Sequence, residues 1–169
     1  MARLDRTGNR KKRSSQSQRK PSLGYYFIFT DTKETEKNYF MGLRSSLPEE
    51  TQKQLIIRVN KVKTEELVDK CLEQAAIEPQ YCESWIVFDR DRVPNFDQII
   101  KKALDNNIHV GWSNPCIETW FDAYFGKMHS ASDSVSCCKN FAEEFKRIVG
   151  QEYEKDDTRL YAILTEHGN

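Results

Sequence analysis

Asp89 and Asp91 close the apolar run "SWIVF" (84–88) in the stretch "SWIVFDRDR". In an extended segment residues i and i+2 point the same way, so the two carboxylates are expected to project together. Like charges held that close repel, and each raises the other's pKa. A divalent cation removes the conflict. Mg²⁺ takes a few carboxylates plus waters and keeps positions open for phosphate oxygens. A metal held this way activates water and clamps a phosphodiester. An acid from another element would complete the site, and three lie just beyond apolar runs. Asp31 and Glu36 follow "YYFIF" (25–29), and Glu118 follows "IHVGW" (108–112) together with Asn114.

Each acid also has an ordinary use. Asp89 can cap a loop, and the alternation of Asp89 and Asp91 with Arg90 and Arg92 allows exposed ion pairs, which contribute little. Asp31 suits a helix N-cap with Glu34 at the reciprocal position. Glu36 suits a first helical turn. Glu118 would be the fourth helical residue if Asn114 caps, and capping does not explain it there. A D-x-D by itself leaves both readings open.

The elements that must position these residues alternate in type. "YYFIF", "LIIRV" (55–59), "SWIVF" and "IHVGW" read as strands, with "SWIVF" buried on both faces. Between them lie helical segments. Residues 35–47 place Tyr39, Phe40, Leu43 and Leu47 on one face. Residues 64–76 open with a Thr64 cap and an acidic first turn, and residues 95–107 open with Asn95 and Gln98 in a capping-box pattern. Asn114-Pro115 reads as cap and first residue of a further helix. Strand–helix alternation predicts a parallel sheet with helices on its faces, and the crevice of such sheets lies at the carboxyl ends of the strands. If strands one, three and four are neighbours, the acids share that edge. From residue 132 the pattern becomes helical. Val135, Cys138, Phe141, Phe145 and Ile148 form a stripe that Gly150 ends, and another helix starts at Asp156 or Asp157.

The 169 residues suit one domain with a core. Apolar runs of at most five residues fall far short of a bilayer span, and no apolar segment follows the basic N-terminus as in a secretory signal. The expected setting is therefore cytoplasmic, away from membranes. Five irregularly spaced cysteines without C-x-x-C argue for reduced thiols, against a disulfide frame and against a His/Cys metal cluster. The zero net charge hides an asymmetry. Residues 1–22 carry eight Lys/Arg and one Asp, which leaves 18 basic against 25 acidic side chains from totals of 26 and 26. This head is polar and reads as a disordered arm ahead of a domain over 23–169. Its Arg10, Lys11, Lys12, Arg13, Arg19 and Lys20 are candidates for nucleic-acid phosphates, with a merely solvated tail as the equal alternative.

Three stretches in this order, "FIFTDTKETEKNYF", "SWIVFDRDR" and "WSNPCIETWFDAYF", resemble the RloB family of prokaryotic restriction-locus and abortive-infection proteins. "SNPCIETWF" is the most specific, close to that family's S-N-P-C-F-E-x-W. The resemblance spans about residues 10–165. It implies a TOPRIM-like α/β fold, a mostly parallel sheet flanked by helices, with residues 131–169 as a helical C-terminal cover. It also implies Mg²⁺ (or Mn²⁺) held by Glu36, Asp89 and Asp91, Asp31 as base or extra ligand, and Glu118 in support. The implied activity is nuclease cleavage of RNA (tRNA included) or DNA in antiphage defence. The implied partner is an AAA or ABC-type ATPase from the same defence locus. The family's E-G after strand one is Asp31-Thr32 here, and the sequence is expected to end inside a last helix that family members continue. A non-enzymatic sensor or regulatory subunit with a degenerate site is the alternative.

Overall fold

The computed structural model describes residues 25–30, 34–59, 62–77, 82–91 and 93–168, with Val59 and Cys82 described by backbone alone. The basic arm and Asp31 lie outside the described residues. Four strands, β1 (Tyr25–Thr30), β2 (Leu55–Val59), β3 (Cys82–Asp89) and β4 (His109–Ser113), pair in the order β2-β1-β3-β4. All three pairings are parallel. Strands one, three and four are thus neighbours, and their carboxyl ends share one edge. The protein is an α/β, TOPRIM-like domain.

Two apolar cores hold it together. On one sheet face Phe27, Phe29, Ile86 and Phe88 pack on α3 (Thr64–Ala75) and α4 (Phe96–Asp105) through Leu67, Val68, Ile99 and Ala103. Full burial of each such side chain contributes about 1.5–3 kcal/mol. The second core joins α5 (Glu118–Tyr124), α6 (Ser134–Val149) and α7 (Leu160–His167) through Ile117, Phe121, Phe125, Phe141, Phe145, Leu160, Ile163 and Leu164. Tyr39 of α1 (Thr35–Ser46) packs against it. α6 and α7 form the expected helical cover.

Sheet alternation puts Ile28, Trp85 and Val87 on the other face, and these remain half-buried. β3 is therefore buried on one face rather than on both. The other face opens into a groove of about 240 Å³ bounded by Tyr39 and Phe40 of α1 and by Trp112, Trp120 and Phe121. A run of four apolar residues does not distinguish a strand covered twice from one with a groove on one side.

Several helix starts differ from the sequence reading. Thr64 is the first residue of α3, and no side chain caps that helix. Asn95 precedes α4 in the left-handed conformation, φ 56°, and its amide donates to Glu65 Oε1 at 3.3 Å instead of completing a capping box. α5 starts at Glu118, not at Pro115, and the Asn114-Pro115 peptide is cis. The carbonyls that would open a helix at Pro115 are taken. Pro115 O accepts from the Asp91 N–H and Asn114 O from Thr119 Oγ1. α7 starts at Leu160 rather than near Asp156, because Asp157 Oδ1 accepts from the Arg159 N–H and turns the chain first. α6 runs as expected to Gly150, φ 81°, but its Val135 is exposed. Asp133 caps it, accepting from the Ser136 N–H at 2.8 Å. A one-turn helix, α2 (Glu49–Gln52), was not expected.

Candidate functional site at the carboxyl edge of the sheet

A cavity of about 170 Å³ opens at the carboxyl edge of β3, lined by Glu34, Thr35, Glu36, Asp89, Ile117, Glu118 and Lys155. Its acids come from three elements. Glu36 enters from the first turn of α1, where it is 2 % exposed. That burial is not what a solvated first-turn charge shows. Asp89 is the last residue of β3, paired in register with Ser113 of β4. Glu118 is the first residue of α5 and is 1 % exposed. Two glutamates so deeply buried need compensating partners, since a lone buried charge is costly.

Glu118 has such partners. Its Oε1 accepts from the Tyr153 hydroxyl at 3.0 Å and pairs with Lys155 Nζ at 3.0 Å. Burial pushes the Glu118 carboxyl upward, but the adjacent Cys116 thiol and the Lys155 ammonium outweigh it and hold the group below the ordinary glutamate range. Burial likewise lowers Lys155, and the Glu118 carboxylate outweighs it, so the ammonium is held above its usual value. Burial and the same carboxylate raise the Tyr153 phenol. Tyr153 is fixed edge-on to Phe141, with ring centroids 4.7 Å apart, so the helical cover itself aims Tyr153 and Lys155 at the site. Glu118 Oε2 is buried without a hydrogen-bond partner.

Of the residues singled out from sequence, Glu36, Asp89 and Glu118 meet at this cavity. Asp91 takes a different place. β3 ends at Asp89 and Asp91 sits in a turn, so strand alternation does not reach it. Its carboxylate accepts from the Ser134 hydroxyl at the start of α6, and it is not among the lining residues. Asn114 is exposed, and its carbonyl serves Thr119. Arg90 forms no collar of charge around the acids. Its guanidinium lies over the rings of Phe96 and Trp112, at 5.0 and 5.8 Å.

Sequence reasoning missed Tyr153, Lys155 and Ser134. They lie far along the chain, in segments with no motif. It also missed a thiol cluster. Cys116 Sγ lies 4.0 Å from Cys138 Sγ, and Cys137 Sγ lies 3.4 Å from Thr119 Oγ1. Cys116, Glu118 and Cys138 each offer a ligand atom within 4.8 Å of the others. The irregular spacing of the cysteines, read as arguing against a His/Cys metal cluster, carried no sign of this neighbourhood. The four cysteines with described side chains are free thiols, as expected. Among the described residues no helix is long and apolar enough to cross a membrane.

Comparison with curated proteins and with solved structures gives no match. A family model described as RloB-like protein matches residues 26–167. That span runs from β1 to α7 and includes every residue lining the cavity, and on it the chain belongs to the RloB-like family.

Proposed function

We propose that the protein is a metal-dependent nuclease of antiphage defence, acting on RNA or DNA under the control of a partner ATPase. The observation that carries this reading is the convergence of Glu36, Asp89 and Glu118 from three elements on one cavity at the carboxyl edge of a parallel sheet. The donors are all carboxylate oxygens, the set that Mg²⁺ or Mn²⁺ prefers. Glu36 and Asp89 would hold the ion, and Asp91, which accepts from Ser134 outside the cavity lining, would have to turn toward it to add a third ligand. When bound, such an ion polarises a phosphodiester and supplies hydroxide at neutral pH. Glu118, held by Tyr153 and Lys155, would support the site as a third carboxylate, and the Lys155 ammonium would present a positive charge to a phosphate. Asp31, just beyond β1, is assigned as base or extra ligand. The neighbouring groove shares Ile117 with the cavity and displays Trp112 and Trp120, flat surfaces on which unstacked bases can lie. The basic residues of the arm are assigned to the backbone of the same substrate.

One observation favours a second reading. Lys155 places a fixed cation against Glu118. An acid neutralised in this way is taken up internally, as expected of a sensor or regulatory subunit with a degenerate site. The test is cleavage of labelled RNA and DNA by the full chain with Mg²⁺ or Mn²⁺, alone and with a candidate partner ATPase. Metal-dependent cleavage lost in Asp89→Asn supports the nuclease. Stable ATPase binding with no cleavage by either assembly supports the regulatory subunit.

A further inference from the structure

We infer that Cys116, Glu118 and Cys138 form a second cation site, for a thiophilic divalent ion such as Zn²⁺, beside the carboxylate cavity. The inference does not depend on nuclease activity. The three ligand atoms lie within 4.8 Å of one another. Two thiolates on one tetrahedral zinc, with Zn–S of about 2.3 Å, stand about 3.8 Å apart. The two sulfurs here are already 4.0 Å apart. Little movement is needed to close on an ion.

A second observation is independent of the sulfurs. Glu118 is 1 % exposed, and its Oε2 has no hydrogen-bond partner. A buried oxygen left in that state costs stability, and a cation would satisfy it. The charges also balance. Two thiolates and one carboxylate carry three negative charges, and a divalent ion with the Lys155 ammonium carries three positive. Cys116 is fixed in the loop that leads into α5, and Cys138 in the first part of α6, so the ligands sit on packed elements. Cys138 is only half-buried and Glu118 lines the cavity, which gives an ion a way in. Soft sulfur donors select Zn²⁺ over Mg²⁺, so the two cations sort themselves between adjacent sites. Glu118 belongs to both sites, and an ion on the thiols draws it away from the carboxylate cavity.

The test uses the full chain, reduced and stripped of metal, with Zn²⁺ titrated against a chromophoric chelator and Co²⁺ as a spectroscopic probe. The expected result is about one equivalent bound with a cobalt–thiolate charge-transfer band, as two-thiolate sites give. Cys116→Ser and Cys138→Ser should each weaken Zn²⁺ by at least about tenfold, while Cys71→Ser, in the sheet core, leaves it unchanged. Zn²⁺ should raise the melting temperature of the wild type and not of Cys138→Ser. Cys138 is half-buried, so that variant is the fallback if Cys116→Ser does not fold. Absence of the charge-transfer band, or equal affinity in wild type and both variants, would overturn the inference. So would a Cys116–Cys138 disulfide protein that takes up no Zn²⁺ after reduction.

Discussion

Asp89 and Glu118 share one cavity but do different work, and substitution separates them. Asp89→Asn keeps volume and hydrogen bonding but loses the charge that attracts a divalent ion. Metal-dependent cleavage should fall by at least about a hundredfold, since even outer-shell changes around metals cost about 10–100-fold. The variant should melt near the wild-type temperature. A fully active Asp89→Asn would refute the assigned chemistry, and a large loss of stability with cleavage unchanged would make Asp89 a structural cap. Glu118 predicts a pH effect instead. Its carboxyl lies below the ordinary value of 4.5, so its contribution to stability is fully present above that value. That contribution is lost as pH falls through the lower, folded value, where the carboxylate is protonated and its pairing with Lys155 ends. Melting temperature followed from neutral pH into the acid range should show this limb in the wild type. Glu118→Gln should flatten it.

At the scale of elements, the site depends on α1 and the helical cover staying in place. α1 and α7 touch at Gly42, where an added Cβ would overlap the Cβ of Tyr161. Alanine ordinarily favours a helix interior over glycine by about 1 kcal/mol. Here the overlap lies at the base of the Tyr161 side chain, next to its backbone, and a rotamer change cannot relieve it. Gly42→Ala is therefore expected to destabilise by about 1–3 kcal/mol, the usual cost of overpacking, and to reduce cleavage by shifting α1 with its Glu36. Urea denaturation measures the first effect, and a variant as stable as wild type would contradict it. α6 has a separate weak point at its start. Asp133→Ala removes the acceptor for the Ser136 N–H and should cost about 1 kcal/mol. Because Ser134 also donates to Asp91, fraying there should loosen Asp91, read as faster hydrogen exchange over residues 133–137.

For the whole molecule, the separation of charge along the chain predicts behaviour on nucleic acid. The first 22 residues hold eight of the 26 basic side chains, while the acids of the cavity repel phosphate unless a cation is present. Removing residues 1–22 should lower affinity and flatten the salt dependence, by about 0.9 in log–log slope for each duplex-DNA phosphate that the arm no longer neutralises. Binding curves at several salt concentrations, with and without the arm, measure this. Identical slopes would assign phosphate binding to the folded domain alone.

Hydrophobic patterning marked the four strands and the longer helices between them, and their alternation predicted the parallel arrangement. It did so because a period of 2 or 3.6 is a local property that survives in any compact fold. It also placed Asp89 at a strand end and Glu118 near a helix start, and the parallel sheet brought them to one edge. Helix starts were less legible. Asn95 and Asn114 are good capping residues by type, but other partners take their groups, Glu65 accepting from the Asn95 amide and Thr119 donating to the Asn114 carbonyl. The inner half of the site was not legible at all. Tyr153 and Lys155 reach Glu118 across more than 30 residues of chain, because Tyr153 is packed on Phe141 and Phe145 in a core shared by three helices. Cys116 and Cys138 meet for the same reason. Their irregular spacing carries no signal, and only the docking of α6 against the loop before α5 brings the two sulfurs within 4.0 Å.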